Sequence, residues 1–228
     1  SQLRPVLSNV VLDELDKELE RRGLAFCRFA DDSIIFVRSW KAAERVMESI
    51  TRFIETRLKL LINQRKSKVA LSKDVVFLGM TIVQGTIAIA ARSLNRAMQK
   101  VKELTPRGTF QPLEETIKSI NQWYVGWSGY FSMTQYPAQL ERIEAHVRRR
   151  LRSRLVSQQK RRRYLFKKLV KRGVHRRWAA KTVFSNKGRW ALSHTPAVER
   201  AYSNRWFIKE MKLKMRSGVK FGHSNHIS

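Results

Sequence analysis

The chain has 228 residues, 43% of them hydrophobic, which suffices for a packed core, and it carries 47 lysines and arginines against 18 acidic side chains, a net charge of +29. So large an excess calls for a polyanionic partner; with no apolar run of about 18 residues and no leader pattern at the start, a membrane is set aside and nucleic acid is expected. A single cysteine, Cys27, excludes an internal disulfide framework and fits a reducing compartment.

In chain order, Leu12, Leu15 and Leu19 recur at helical spacing within Val10 to Arg22, and Gly23 stops the pattern as a C-terminal glycine does. Next come two short apolar segments, Leu24 to Arg28 and Ser33 to Val37, separated by Phe29-Ala30-Asp31-Asp32. That reads as strand, tight acidic turn, strand. Aspartate favours turns in any protein. Two adjacent carboxylates at a hairpin tip are also what a polymerase palm needs to hold magnesium beside a nucleoside triphosphate and a primer end. Cys27, inside an apolar strand, is expected to be buried packing.

A long amphipathic helix follows, with Ala43, Val46, Met47, Ile50, Phe53, Ile54, Leu58 and Leu61 on one face over about five turns. Val69-Ala70-Leu71 reads as a short strand. The run Val75 to Val83, the turn Gln84-Gly85 and the run Thr86 to Ala90 read as a β-hairpin. Helix, hairpin, helix, hairpin is half of a split β-α-β palm, so residues 1–90 are expected to form a partial palm of antiparallel hairpins backed by helices.

From Ala91 the pattern is helical throughout. Leu94, Met98, Val101 and Leu104 form one stripe; Ile117, Ile120, Tyr124, Trp127 and Phe131 a second; Leu140, Ile143, Val147, Leu151 and Leu155 a third. Residues 91–170 are expected to be an all-helical unit with these stripes in its core. Residues 171–228 are expected to be a small basic module, with Trp178, Phe184, Trp190, Tyr202, Trp206 and Phe207 interleaved with lysine and arginine. The fold class is therefore α+β. His223 and His226 lie in a tail expected to be frayed, and they lack the companions zinc requires.

Charge follows the same division. Residues 1–90 hold 15 basic and 11 acidic side chains, and residues 91–228 hold 32 and 7. The densest run is Arg148, Arg149, Arg150, Arg152, Arg154, Lys160, Arg161, Arg162, Arg163, Lys167, Lys168, Arg176 and Arg177, with Glu144 as the one acid between Arg142 and Arg177. Like charges so dense repel one another, and a bound phosphate backbone is the natural compensation.

Several segments carry a family resemblance. Phe29-Ala30-Asp31-Asp32 resembles the F/Y-A-D-D box of reverse transcriptases, Asn63-Gln64-Arg65-Lys66-Ser67-Lys68 resembles their N-x-x-K-[ST]-K segment, and Phe77-Leu78-Gly79 resembles the motif of the primer-grip region. Asn121 through Phe131, with Gly126-Trp127 and Tyr130-Phe131, is similar to the thumb signature of group II intron maturases. The resemblance implies a group II intron reverse transcriptase/maturase: RNA-directed DNA polymerisation during intron mobility, and intron RNA binding that assists splicing. It implies that Asp31 and Asp32 bind catalytic Mg2+, that Lys66 acts as general acid toward pyrophosphate, and that Phe77, Leu78 and Gly79 position the primer. Residues 91–170 become the thumb, or maturase domain, and residues 171–228 a DNA-binding module.

There is one departure. The family holds its metals with a further aspartate on an earlier palm strand, and Ser1 to Asn9 resembles only the end of the P-Q-G box that lies upstream in the family. Asp13 and Asp16, on a helix, are poor substitutes. The chain is therefore expected to be the C-terminal portion of such an enzyme and to polymerise poorly alone. A non-catalytic RNA-binding maturase remnant is the alternative, and a retron or diversity-generating reverse transcriptase a third reading. Implied partners are intron RNA, target DNA and deoxynucleoside triphosphates, with no membrane. The oligomeric state is open, a homodimer included, and the location is the bacterial cytoplasm or an organelle.

Overall fold

The computed structural model describes residues 3–106 and 108–216, so the tail with His223 and His226 lies outside the described residues. The chain divides into two compact units, Ser1–Phe77 and Leu78–Ser228.

In the first unit, helix α1 (Leu3–Arg21) ends where Gly23 takes φ 66°, the left-handed conformation for which glycine carries no Cβ penalty. The Gly23 and Leu24 amides then donate to the carbonyls of Glu20 and Leu19, which closes the helix with a Schellman turn. Strands β1 (Ala25–Phe29) and β2 (Asp32–Phe36) pair antiparallel, with Phe26 opposite Ile35 and Phe29 opposite Asp32. Helix α2 (Trp40–Thr56) starts at Ser39, whose hydroxyl accepts from the Ala42 amide at 3.2 Å. Leu12, Leu15, Leu19 and Ile50 are buried, and Leu24, Phe26, Ile35, Val46, Phe53, Ile54 and Leu58 pack against them. Two helices thus back one hairpin.

Three local expectations are corrected in this unit. Strand parity turns Phe26 and Arg28 inward, so Cys27 is exposed rather than buried. The second helix is shorter than its apolar stripe, because Lys59 adopts φ 55° and the Leu60 amide turns back to the Ile54 carbonyl. Leu58 still reaches the core, whereas Leu61 is left 94% exposed. Residues 69–71 form no strand, and a single 3-10 turn at Ser72–Asp74 precedes the two-residue strand β3 (Val76–Phe77).

In the second unit, β4 (Met80–Val83) and β5 (Thr86–Ile89) form a hairpin closed by Gln84 and Gly85, both at positive φ as a primed two-residue turn requires. The outer edge of β5 is covered by side-chain amides. Gln135 Oε1 accepts from the Ile87 amide, while Gln139 accepts from the Ile89 amide and donates to its carbonyl. The edge is thereby closed to further pairing. Helices α3 (Ala91–Leu104), α4 (Leu113–Tyr130), α5 (Pro137–Ser157), α6 (Arg162–Lys171), α7 (Arg176–Val183), α8 (Arg189–Leu192), α9 (Pro196–Ala201) and α10 (Asn204–Lys209) complete it. The three expected stripes supply Val101, Ile117, Ile120, Tyr124, Ile143, Val147, Leu151 and Leu155 to one core. That core runs on through Leu169, Val183, Ala197, Tyr202 and Phe207 to Met215. Packing therefore does not break at residue 170, where a boundary was expected.

Candidate metal hairpin and nucleic-acid interface

The Asp31-Asp32 pair sits where the sequence puts it. Phe29 pairs with Asp32, so Ala30 and Asp31 are the two turn residues, and both carboxylates are exposed. Ala30 holds φ 54°, a conformation that costs an L-residue about 1–2 kcal/mol. The turn is braced from behind. Arg28 makes a forked contact with both carboxylate oxygens of Asp16 on α1, at 2.5–2.9 Å, and its Nη1 donates to the Ala30 carbonyl at 3.0 Å. Asp16 is thus occupied by Arg28, and Asp13 pairs with Lys17 at 2.6 Å. This fixes the direction of the tip while leaving its two acids free of that network.

Two adjacent carboxylates are hard oxygen donors of the kind magnesium takes, so the residues fit part of an octahedral shell. Among the described residues no third carboxylate, histidine or cysteine joins them. Lys66 lies in a turn in which the Asn63 carbonyl accepts from the Lys66 and Ser67 amides; it is exposed, and no described ion pair links it to either aspartate. Phe77 is half-buried in β3. Leu78 and Gly79 follow at φ 51° and 77°, with Leu78 exposed. The Gly79 carbonyl accepts from Ser93 Oγ, and the Leu78 carbonyl accepts from Tyr130 Oη at 3.0 Å. A Cβ at Gly79 would stand 2.8 Å from Ser93 Oγ and 3.3 Å from the Phe131 ring, so this position accepts only glycine without rearrangement.

The basic run does not present one uniform face. Arg154 is 1% exposed and donates to Thr116 Oγ1 and the Gln111 carbonyl. Arg152 is 6% exposed and donates to the Tyr202 carbonyl, Glu199 and Asn204. For these two, the expectation of phosphate contact is corrected to an internal role, because the last turns of α5, from Leu151 to Val156, are buried on every face. Arg150 donates to Thr105 and Lys102 at the end of α3, and Arg162 donates to the Val183, Ser185 and Lys187 carbonyls at the end of α7. The last carbonyls of a helix have no partner within it, and a guanidinium satisfies several at once while opposing the negative end of the dipole.

Arg149, Lys160, Arg161, Arg163, Lys167, Arg176 and Arg177 are exposed, and Arg148 and Lys168 half-buried. Arg163 lies 5.1 Å from the Tyr164 ring, and Arg176 lies 5.9 Å from the Phe166 ring. Arg148 is 3.6 Å from Glu144, whose buried carboxylate also accepts from Tyr124 Oη at 2.6 Å and from the Arg216 amide at 2.5 Å. The positive field is registered by His146 on the same helix. Burial first, then Arg150, Lys102 and Arg149, hold its pKa below the ordinary histidine range.

Sequence reasoning missed Arg189 and Arg205, and it read Arg172 only as part of the basic run. Arg172 donates to the Ala201 carbonyl and lies 4.2 Å from the Trp206 ring. Arg189 caps the end of α5 through the Val156, Ser157, Gln159 and Lys160 carbonyls. Arg205 faces a cleft beside α5. Isolated arginines beside aromatics give no local signal for such tertiary partners. Asn121, noticed only as a motif letter, clamps the chain end by donating to the Lys212 carbonyl and accepting from the Lys214 amide.

Comparison with known proteins gives two family matches. The description "Reverse transcriptase (RNA-dependent DNA polymerase)" matches residues 1–82, and "Group II intron, maturase-specific domain" matches residues 94–178. Among curated proteins, Protein YkfC of Escherichia coli (strain K12) is 27% identical; the aligned part is 36% of this chain and 31% of that protein. The chain thus spans less than a third of the length of that relative. Among the described residues no helix is long and apolar enough to cross a membrane.

Proposed function

The chain belongs to the group II intron reverse transcriptase/maturase family, and from that premise we infer that its second unit binds intron RNA while its acidic hairpin belongs to a nucleotidyl-transfer site. The observation that carries this reading is the contrast in completeness. The maturase-domain match falls on a unit with a continuous core and an outward set of cations, whereas the hairpin offers two acids with no third beside them among the described residues. Binding to RNA is therefore the activity this chain performs unaided, and polymerisation is the activity to which it contributes a part.

In that part, Asp31 and Asp32 would hold magnesium, which when bound neutralises the triphosphate and favours ionisation of the primer hydroxyl. Arg28, through Asp16 and the Ala30 carbonyl, keeps the tip oriented. Lys66 is assigned proton donation to the leaving pyrophosphate, and Phe77, Leu78 and Gly79 positioning of the primer end. Exposed cations from Arg149 to Arg177 neutralise phosphates in proportion to their number, which gives affinity without sequence choice. Target DNA would meet the segment beyond residue 170.

Two variants, one single and one double, test this reading. Asp31→Asn should leave affinity for a structured RNA within about twofold, whereas Arg149→Ala and Lys167→Ala together should lower the salt slope of binding by about two. The purified chain should extend a primed RNA template slowly or not at all. Near-normal extension, or a salt slope in the double variant equal to that of the parent, would overturn the division of labour.

A further inference from the structure

Resting on the RNA-binding reading above, we propose that the cleft between α5 and the α9–α10 corner is a phosphate pocket that seats the sugar-phosphate backbone of bound RNA. The cleft has a volume of about 440 Å³. One wall is a single face of α5, on which Ala145, Arg148, Arg149 and Arg152 recur at steps of three and four. The other wall is Glu199, Ser203, Asn204 and Arg205. Ala145 is exposed and contributes only a methyl group, so the α5 wall is low one turn before Arg148 and Arg149.

The pocket is held in shape from inside. Arg152 is buried and tied on three sides, by the Tyr202 carbonyl at 3.0 Å, Glu199 at 3.2 Å and Asn204 Oδ1 at 3.0 Å. Those bonds join the two walls and hold Asn204 in place. Burial pulls the Arg152 pKa below the ordinary arginine range, and Arg148 and Arg149 push it the same way against Glu199. With Arg152 held by Glu199 and Arg148 near Glu144, the cations Arg149 and Arg205 leave positive charge in excess along the lining.

An anion relieves that excess, and a phosphate is an anion that the planar guanidinium fork grips with two parallel hydrogen bonds. No aromatic ring lines the cleft, so it offers no stacking platform for a base and selects the backbone. Its volume exceeds that of a single phosphate and admits a turned stretch of strand. RNA is favoured over an acidic peptide because Arg148, Arg149 and Arg152 lie within the maturase-domain match.

The test uses the full chain, a structured RNA hairpin of arbitrary sequence, and pyrophosphate at fixed ionic strength. Ala145→Leu adds bulk to the α5 wall of the cleft without altering charge and should weaken RNA binding about tenfold, as should Arg205→Ala, the latter with a salt slope lower by about one. The thermal midpoint of Ala145→Leu without ligand should match that of the parent, which separates narrowing of the cleft from misfolding. Lys181→Ala, an exposed cation on α7, should change affinity by less than about threefold if general charge is the lesser contribution. Pyrophosphate should raise the thermal midpoint of the parent and not of Ala145→Leu.

Parent-like RNA affinity in both Ala145→Leu and Arg205→Ala overturns the proposal. If pyrophosphate protection is lost in those variants while RNA affinity is unchanged, the cleft serves a free or peptide-borne anion instead. If the parent chain binds no RNA, the broader RNA-binding reading fails with it.

Discussion

The two units use the same charged residue types for opposite purposes. In the first, a half-buried arginine and aspartate, Arg28 and Asp16, brace a turn so that two other acids can stand outside. In the second, Arg150, Arg154, Arg162, Arg172 and Arg189 are engaged by backbone carbonyls, Arg162 and Arg189 at the surface and the others more deeply, and other cations are left to face solvent unengaged by such carbonyls. The first unit has four buried core residues, whereas the core of the second runs from Ala97 to Met215. A basic sequence is thus a poor guide to the number of phosphates a protein can neutralise: part of the charge is spent terminating helices. The salt dependence of RNA binding should accordingly report the outward cations alone.

The sharpest way to break that distinction is Arg154→Ala. Its side chain is almost wholly buried, and its loss would orphan Thr116 and the Gln111 carbonyl while opening a cavity the size of a long side chain. Such a change should cost about 3 kcal/mol or more, read as a lower urea midpoint followed by tryptophan fluorescence. The salt slope of RNA binding by the folded variant should stay at the parent value. A normal midpoint with a reduced slope would make Arg154 a phosphate ligand and return the inward set to the outward one.

A smaller effect is expected from the buried carboxylate under α4. Burial, and then the hydrogen bond to Glu144, push the Tyr124 pKa far above its ordinary value of 10.0; burial also raises that of Tyr202. A folded-state pKa raised above the unfolded one adds stability that is complete below the unfolded value and is lost as pH rises past it. The second unit should therefore weaken from about pH 10 upward. Tyr124→Phe should cost about 1.5–3 kcal/mol at pH 8, because the Glu144 carboxylate loses a donor, and should show a shallower decline at alkaline pH. Urea midpoints at pH 8 and pH 11 decide it, and an unchanged alkaline decline in Tyr124→Phe would assign the effect elsewhere.

Much of this architecture was legible in the chain, for reasons that differ by element. Gly23, the acidic turn and Gln84-Gly85 are local signals: one residue's allowed φ or one pair's turn chemistry decides the backbone there. The α4 and α5 stripes were legible because period 3.6 survives in any packing arrangement. Cys27 was misjudged because an apolar strand does not declare which of its two faces is inward until the neighbouring helices are placed. Arg152 and Arg154 were misjudged because a charge run carries no label for the members that lie on the packed side of the helix. The Gln135 and Gln139 edge cover and the Arg189 cap join residues about 30 to 50 positions apart, and no local pattern marks them.

The smallest expected effect lies at the hairpin tip, where it sharpens the contrast between a braced turn and a packed core. Ala30 holds φ 54° with its carbonyl bound by Arg28, and a glycine there would lose no contact the alanine methyl makes in the turn geometry itself. Glycine adopts that region freely, so Ala30→Gly removes a strain of about 1 kcal/mol, against the added freedom of the unfolded chain, a term of opposite sign and similar size. The net change in urea midpoint should stay below about 1 kcal/mol. The effect on the acids is different in kind: a glycine loosens the link between β1 and Asp31, so amide exchange at Asp31 and Asp32 should quicken while that of Phe26 and Ile35, in the paired body of the hairpin, stays as it was. If exchange at the tip is unchanged, the orientation of the two carboxylates is set by Arg28 and Asp16 alone, and Asp16→Asn becomes the substitution that frees them.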